Sequence, residues 1–334
     1  MKNVYFLLKL NRYIHNVRVK NLGIYFLHLT NKRYLGIFLD PVLACNLRCR
    51  MCYFSDPEKR KTMKGVFDKE DIVRLADALF HRALKLQIGC GAEPSLFAHN
   101  REIIRIAKEK KVPYISMTTN ANLFSEEDWW QLVEAGLDEV TLSVHGVTKE
   151  SYEYFMEKAV FEKFHSALAT LTEIKKKYPS FQIRLNYTVN KDNLDELQFF
   201  FDVFGNYLFD ILQIRPIQQI GNTDYHDFSW KEIYEHYDFV IEKIKSECRE
   251  KGITCIAPAK NDLIADENEN STVVESTYCY VSPKYIWKDD FNLKEDDYES
   301  YAKRTHLGRK LLANVFRSKK SFEKSKKKLN YEIK

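Results

Sequence analysis

Apolar runs rich in β-branched and aromatic residues alternate along the chain with segments in which apolar residues recur every three or four positions. The first pattern is typical of buried strands, and the second of helices with one face against a core. The predicted strands are 34–40, 85–89, 114–118, 139–144, 182–189 and 210–214. Strands that alternate with helices form parallel sheets that the helices cover. The sequence therefore predicts an α/β fold, arranged as a partial (β/α)6 TIM-like barrel with a small C-terminal extension.

Capping residues mark where several helices begin and end. The predicted helices are 68–84, 100–110, 194–203 and 230–251, with helical segments across 149–177 and one more helix that opens at Ser125. Ser125 and Asp128 have the spacing of a capping box, in which each side chain bonds the other residue's main chain. In the same way, Ser229 with Glu232 predicts the start of the last helix, and Gly252 predicts its end.

Charge and composition divide the 334 residues into four predicted segments. Residues 1–33 carry seven Lys/Arg and no Asp/Glu among apolar positions, which predicts a basic amphipathic segment. Residues 34–252 contain the predicted barrel, and residues 253–302, an acidic run followed by tyrosines, are predicted to form a small domain or lid. Residues 303–334 carry twelve Lys/Arg against two Glu and are predicted to be a basic tail.

Hydropathy and charge also bear on location and partners. No run approaches the roughly 20 apolar residues of a membrane span, and the apolar run near the N-terminus is short and interrupted by Lys9. We therefore expect a cytoplasmic protein. A basic amphipathic segment can lie on an anionic membrane, so peripheral contact through residues 1–33 stays open, beside packing of that segment against the barrel. The acidic middle of the chain and the lack of a recognition motif argue against nucleic-acid binding.

Three of the seven cysteines, Cys45, Cys49 and Cys52, lie within eight residues directly after the first predicted strand. Three thiolates at this spacing can hold three corners of a cuboidal iron–sulfur cluster, which leaves the fourth iron open to a small molecule. From the spacing alone, a zinc site with one distant ligand and unliganded thiols are the alternatives. No pair among the other four cysteines has the C-x2-C spacing, so we predict no second cluster.

The C-x3-C-x2-C triplet, preceded by a strand and followed by Tyr53, resembles the motif of the radical S-adenosylmethionine (SAM) family. Three further turns, at the ends of successive predicted strands, resemble that family's Gly-Gly-Glu-Pro, Thr-Thr-Asn-Gly and Ser-Leu-Asp-Gly. They are Gly91-Ala92-Glu93-Pro94, Thr118-Thr119-Asn120-Ala121-Asn122 and Ser143-Val144-His145-Gly146. The chain departs from the family at Ala92, at His145, and at Met51, where an aromatic residue is common. Residues 279–295 resemble a degenerate form of the SPASM/twitch-like domain of some members.

The resemblance implies a [4Fe–4S] cluster on the three cysteines, with SAM bound to the open iron. The residues expected to bind the cofactor are Gly91, Ala92, Glu93, Pro94, Asn120, Ser143, Asn186 and Thr188. A turn with few side chains lets main-chain groups approach a ligand, and one face of strand 182–189 offers amide and hydroxyl groups to a cavity. An ordinary turn, helix caps and a solvent-facing strand are the alternative interpretations. His145, at a strand end, is a candidate for proton transfer, with a purely structural histidine as the alternative.

The resemblance further implies a radical SAM enzyme. One electron from an external donor, flavodoxin-like or ferredoxin-like, would cleave SAM to methionine and a 5′-deoxyadenosyl radical that abstracts hydrogen from a substrate. A peptide is one candidate substrate; a sugar, a nucleoside or a lipid-linked molecule is the alternative. A third possibility is an iron–sulfur protein without catalysis that transfers electrons or senses redox state. An exposed cluster also predicts a reducing, anaerobic environment.

Overall fold

A single sheet organises the protein. The structure is a computed structural model that describes residue 14 and residues 16–263 and 272–317. The strands are β1 (Leu35–Leu39), β2 (Ala83–Ile88), β3 (Ile115–Thr119), β4 (Glu139–Val144), β5 (Gln182–Val189), β6 (Ile211–Pro216), β7 (Thr254–Ile256), β8 (Tyr278–Ser282) and β9 (Tyr285–Ile286). Their order is β7-β6-β5-β4-β3-β2-β1-β8-β9, parallel throughout except for the β8–β9 pair, and the sheet does not close. The predicted α/β class and partial barrel are confirmed.

Helices connect the strands and cover the outer face of the sheet. The α-helices are Val17–Leu29, Pro57–Thr62, Lys69–Leu79, Asn100–Glu109, Glu126–Glu134, Lys149–Phe155, Phe161–Lys177, Phe200–Phe204, Tyr237–Glu250, Thr272–Thr277, Tyr298–Arg304 and Leu307–Phe316. Short 3-10 helices lie at Phe80–Arg82, Pro94–Leu96, Asp195–Phe199 and Lys260–Leu263. Among these described helices, none has the length and hydropathy of a membrane span.

Strand β5 shows how the sequence separates the two faces of the sheet. Ile183, Leu185 and Tyr187 are fully buried, and the residues between them, such as Arg184 and Asn186, are only partly buried. The apolar face packs against the helices, because successive side chains of a strand point to opposite sides. The polar face therefore lines the inside of the open barrel.

Most predicted boundaries agree with the structure to within a few residues, and the last predicted helix does not. It begins at Tyr237 rather than after Ser229. Ser229 accepts a hydrogen bond from the Lys231 N–H (3.3 Å) and donates its own N–H to Asp227 (3.0 Å). Such local bonds favour turns over helix, so the predicted cap closes a turn. The predicted helix end at Gly252 is confirmed, since the helix ends at Glu250 and Gly252 has φ +69°.

The C-terminal segments contribute to the main sheet. Residues 253–302 supply β7, β8 and β9, and β8 pairs in parallel with β1, with Ile37 opposite Cys279. Within 303–334, Leu307–Phe316 is helical. Residues 264–271 of the acidic run, residues 1–13 and residues 318–334 lie outside the described residues. The predicted division into four segments stays a prediction.

Candidate active site

The loop that carries the three cysteines lies over the carboxyl ends of the strands. It leaves β1 after Leu39, and its partners come from segments that follow β2, β3, β4 and β5. The bonds join Ala44 to Glu93 (2.9 Å), Asn46 to Asn120 (2.9 Å), Arg48 to Glu157 (2.8 Å), Arg50 to Phe155 (2.9 Å) and Met51 to Asn190 (3.1 Å), and the Tyr53 hydroxyl to the Gly91 carbonyl. Loops at this edge carry function in barrel folds. The fold thus places Cys45, Cys49 and Cys52 among the predicted turns.

Asp40, the residue after β1, holds the turn after β2 in place. Its buried carboxylate accepts hydrogen bonds from the Cys90 N–H (2.7 Å), the Gly91 N–H (3.0 Å) and the Tyr280 hydroxyl (2.8 Å). Burial raises the pKa of Asp40, and these hydrogen bonds oppose that rise. Because Tyr280 lies on β8, three strands, β1, β2 and β8, meet at one carboxylate.

Glu93 connects the same turn to the turn after β3. Its carboxylate accepts hydrogen bonds from the Ser95 N–H (3.0 Å) and hydroxyl (2.6 Å), the Thr119 hydroxyl (2.6 Å) and the Asn120 N–H (2.9 Å). Only 3% of Glu93 is exposed, and burial raises its pKa against the effect of these donors. The side chain is fully occupied within the protein, so it positions the neighbouring turns.

A glycine that the motif did not include lets these two turns approach. Gly89 has φ +77°, and a Cβ there would meet the Thr118 carbonyl oxygen and the Pro94 ring well inside contact distance. Only glycine fits such a position without strain. Ala92, by contrast, is not among the described residues with positive φ, so the turn accepts its Cβ.

The polar face of β4, β5 and β6 continues the site toward the barrel interior. Ser143 lies opposite Asn186, Asn186 opposite Gln213, and Thr188 opposite Arg215. Residues that are register partners share a face, so these five side chains form two adjacent rows. The Asn186 side-chain oxygen is buried and has no hydrogen-bond partner in the described part of the chain. The Asn186 oxygen is therefore available to a ligand that enters between these rows.

His145 follows β4 beside these rows. Its Nδ1 lies 3.4 Å from the Thr188 N–H, which donates to it, and its carbonyl accepts from the Asn193 amide (3.0 Å). Burial, assisted by the Arg215 charge and opposed by a main-chain hydrogen bond to Val144, lowers the pKa of His145 to about 4. The ring is therefore neutral at physiological pH.

The part of the chain that forms this site is also the part that is similar to known proteins. Residues 40–201 match the model of the radical SAM superfamily. Residues 40–201 therefore form a radical SAM domain. A protein of Metallosphaera sedula named as a probable GTP 3′,8-cyclase is 29% identical over 213 residues, which are 62% of this chain and 64% of that protein. The chain thus spans less than two thirds of this curated relative.

Two solved radical SAM structures share the fold. Streptococcus suis SuiB, bound to its precursor peptide SuiA, has a TM-score of 0.60 at 15% identity, covering 88% of this chain and 70% of SuiB. The structure of anSMEcpe with bound AdoMet and a peptide has a TM-score of 0.58 at 16% identity, covering 87% and 86%. At these identities the likeness concerns the fold alone.

The radical SAM family uses a [4Fe–4S] cluster and SAM, and three thiols of this chain fit that requirement. Burial raises the pKa of Cys45 to about 12 and of Cys52 to about 11. Burial, then the charges of Cys52 and Cys45, raise the pKa of Cys49. Thiols this close and buried ionise only beside a cation, which an iron–sulfur cluster supplies. Among the described residues, no three His, Cys, Asp or Glu side chains converge to hold one ion. Cys45, Cys49 and Cys52 would hold a cluster rather than a single ion.

Sequence reasoning missed two residues that shape this radical SAM site. Asp40 was included only as the end of a strand, and Tyr280 only as one tyrosine among several. An acidic residue closing an apolar run just before the cysteines was an available signal for Asp40. Nothing local marked Tyr280, because its bond to Asp40 joins residues 240 positions apart.

Proposed function

We propose that this chain is a radical SAM enzyme in which Cys45, Cys49 and Cys52 hold a [4Fe–4S] cluster. The observation that carries the proposal is the seating of the cysteine loop against the turns at Gly91–Pro94 and Asn120. When bound, the reduced cluster cleaves SAM to methionine and a 5′-deoxyadenosyl radical that abstracts hydrogen from a substrate. An external one-electron donor, flavodoxin-like or ferredoxin-like, is part of the proposal.

The turn after β2 would receive the amino group of SAM. The Asp40 carboxylate accepts hydrogen bonds from the Gly91 and Ala92 N–H groups, and the Ala44 carbonyl accepts one from the Glu93 N–H. Pro94 has no N–H, so this turn offers a ligand carbonyl oxygens rather than donors. Carbonyl oxygens suit an ammonium group. The Asn120 amide and the Ser143 hydroxyl are the proposed partners of the carboxylate, and Asn186 and Thr188 those of the ribose or adenine.

Arg215 supports a substrate that carries an anionic group. It is exposed at the carboxyl end of β6, on the same face as Thr188, and no carboxylate forms an ion pair with it among the described residues. A guanidinium binds phosphate or carboxylate with two parallel hydrogen bonds. A neutral His145, with a pKa near 4, would help to position this group rather than remove a proton. A nucleotide is consistent with the named activity of the cyclase relative; a peptide carboxylate is the second candidate.

The test of the proposed function is SAM cleavage under anaerobic conditions. Protein reconstituted with iron and sulfide is expected to release 5′-deoxyadenosine when dithionite and SAM are added, as measured by chromatography with mass detection. GTP and acidic peptides are then compared as substrates.

The variant Arg215→Ala should raise the half-saturating concentration of whichever substrate reacts by about 10-fold or more, because a hydrogen bond to a charged group contributes about that much to binding. Arg101→Ala is the control at an exposed helix position. An electron-transfer protein would release no 5′-deoxyadenosine.

The neutral state of His145 gives a separate prediction. A pKa near 4 means that the ring does not titrate between pH 5.5 and 8. Since the folded-state pKa lies below the ordinary value of 6.5, stability is expected to fall as pH drops from 6.5 toward 4. Nitrogen-15 NMR of labelled histidine should show a neutral His145 ring throughout the higher range. In His145→Gln, the acid-induced loss of stability should shrink; a ring titrating near 6.5 would contradict the assignment.

A further inference from the structure

The helix Val17–Leu29 is fixed to the body of the protein by one face. Asn21, which is buried, donates its amide to the Thr272 hydroxyl (2.7 Å) and to the Asn314 carbonyl (3.1 Å). At the other end, His28 bonds the Tyr298 hydroxyl (2.7 Å). A Cβ on Gly308 would lie 3.1 Å from the His28 ring. The helix therefore runs antiparallel to Leu307–Phe316, with residue 21 near 314 and residue 28 near 308.

The opposite face of this helix is apolar and exposed. The exposed fractions are 50% for Val19, 39% for Leu22, 55% for Phe26 and 54% for Leu29. Residues three or four positions apart share a helix face, so these four form one stripe that points away from the protein. Single exposed apolar residues are ordinary, but a stripe is the reverse of the usual surface helix, whose outer face is polar. Phe316, 75% exposed, is the last residue of the neighbouring helix, two residues beyond Asn314, which contacts Asn21.

Cations flank the stripe, and no acid lies near it in sequence. Arg18 and Lys20 each lie about 100° around the helix from Val19, one on either side. Residues 1–33 contain no Asp or Glu. Because the two helices are antiparallel, the described chain enters the helix pair at residue 16 and leaves it at residue 317 at the same end.

We propose that the outer face of Val17–Leu29, with Phe316, binds the surface of an anionic lipid bilayer. A bilayer interface offers acyl chains to the stripe and negative headgroups to Arg18 and Lys20. Nucleic acid would satisfy the cations and leave the stripe in water. A second copy of the chain, or residues 1–13 with Lys2, Lys9 and Arg12, would bring like charges together. This inference does not depend on the proposed radical chemistry.

The experiment measures binding of the full-length protein to phospholipid vesicles by co-sedimentation. Phosphatidylcholine vesicles are compared with vesicles that contain phosphatidylglycerol as well. We expect binding that is at least about 10-fold tighter to the anionic vesicles and is weakened by salt. The variant Leu22→Ser/Phe26→Ser should lose about 10-fold or more of this binding, since it removes apolar contact without changing charge. Phe199→Ser/Phe239→Ser, at residues 59% and 68% exposed, is the matched control and should bind as the wild type does.

The alternative occupants give different results. Equal binding by both serine variants would mean that the basic ends alone attract the vesicles, and would overturn the proposal. Absence of binding to anionic vesicles would overturn it too. A dimer in light scattering that only Leu22→Ser/Phe26→Ser dissociates would assign the stripe to a second copy. A melting temperature lowered by that variant, and not by the control, would assign it to residues 1–13.

Discussion

Cys49→Ala is expected to abolish release of 5′-deoxyadenosine. The variant leaves two thiols where a cluster with one open iron needs three, and Cys49 is the member whose pKa is raised by both of the others. The iron and sulfide content per chain should also fall, as should the absorbance of the cluster in the visible range. The loss should exceed the about 10–100-fold that removal of an outer partner of a metal site costs. The measurements are metal analysis, visible spectra and product chromatography on protein reconstituted under argon.

The control for Cys49→Ala is Cys255→Ser. Cys255 lies on β7, at the far edge of the sheet from β1, so its substitution should leave iron content and product unchanged. SAM cleavage retained by Cys49→Ala at the wild-type rate would refute the cluster assignment. Loss of cleavage with iron content retained would place the defect in SAM binding instead.

Glu93→Gln is expected to lower both stability and SAM affinity. The carboxylate accepts four hydrogen bonds, and an amide presents an N–H₂ group to donors that need an acceptor. Each buried donor left without an acceptor costs about 1–3 kcal/mol. Urea unfolding should therefore show a loss of about 2–5 kcal/mol. The turns at Ser95 and Asn120 would also separate, which should weaken SAM binding in equilibrium dialysis.

Glu58→Gln serves as the matched control for Glu93→Gln. The Glu58 side chain is 77% exposed and pairs with Lys61 on the surface, where an ion pair contributes little. The urea midpoint of Glu58→Gln should therefore stay close to that of the wild type. If Glu93→Gln behaves like this control, the Glu93 carboxylate does not hold the two turns together.

Alternation of apolar and polar residues predicted the strands well where one face of a strand is buried and the other carries polar side chains. In β5, fully buried Ile183 and Leu185 alternate with partly buried Arg184 and Asn186, and the predicted bounds are those observed. Ser125 and Asp128 also form the predicted capping box. The helix start predicted at Ser229 was wrong, because the same side-chain hydrogen bond can cap a helix or stabilise a turn. A short motif cannot tell these outcomes apart without the packing around it.

For the site, the sequence predicted which turns meet and could not predict what holds them together. The order of strands implied that the turns at Gly91, Asn120 and Ser143 would share one edge. The bonds from Asp40 to Gly91 and from Tyr280 to Asp40 depend on the register of β1 with β2 and β8. Pairing of strands far apart in sequence leaves no local pattern. The role of Glu93 as a positioning residue likewise emerges only from its four partners.

The placement of β8 beside β1 has a consequence for the order in which the protein matures. During synthesis, β1 and the cysteine loop leave the ribosome more than 200 residues before the strand that covers the edge of β1. Until then the nascent chain has an unpaired sheet edge, and Asp40 lacks the Tyr280 hydroxyl. Contacts this distant along the chain form late. Iron and sulfide can therefore be inserted into a finished pocket only after β8 has been synthesised, and a chain that terminates before β8 would be an aggregation-prone recipient for them.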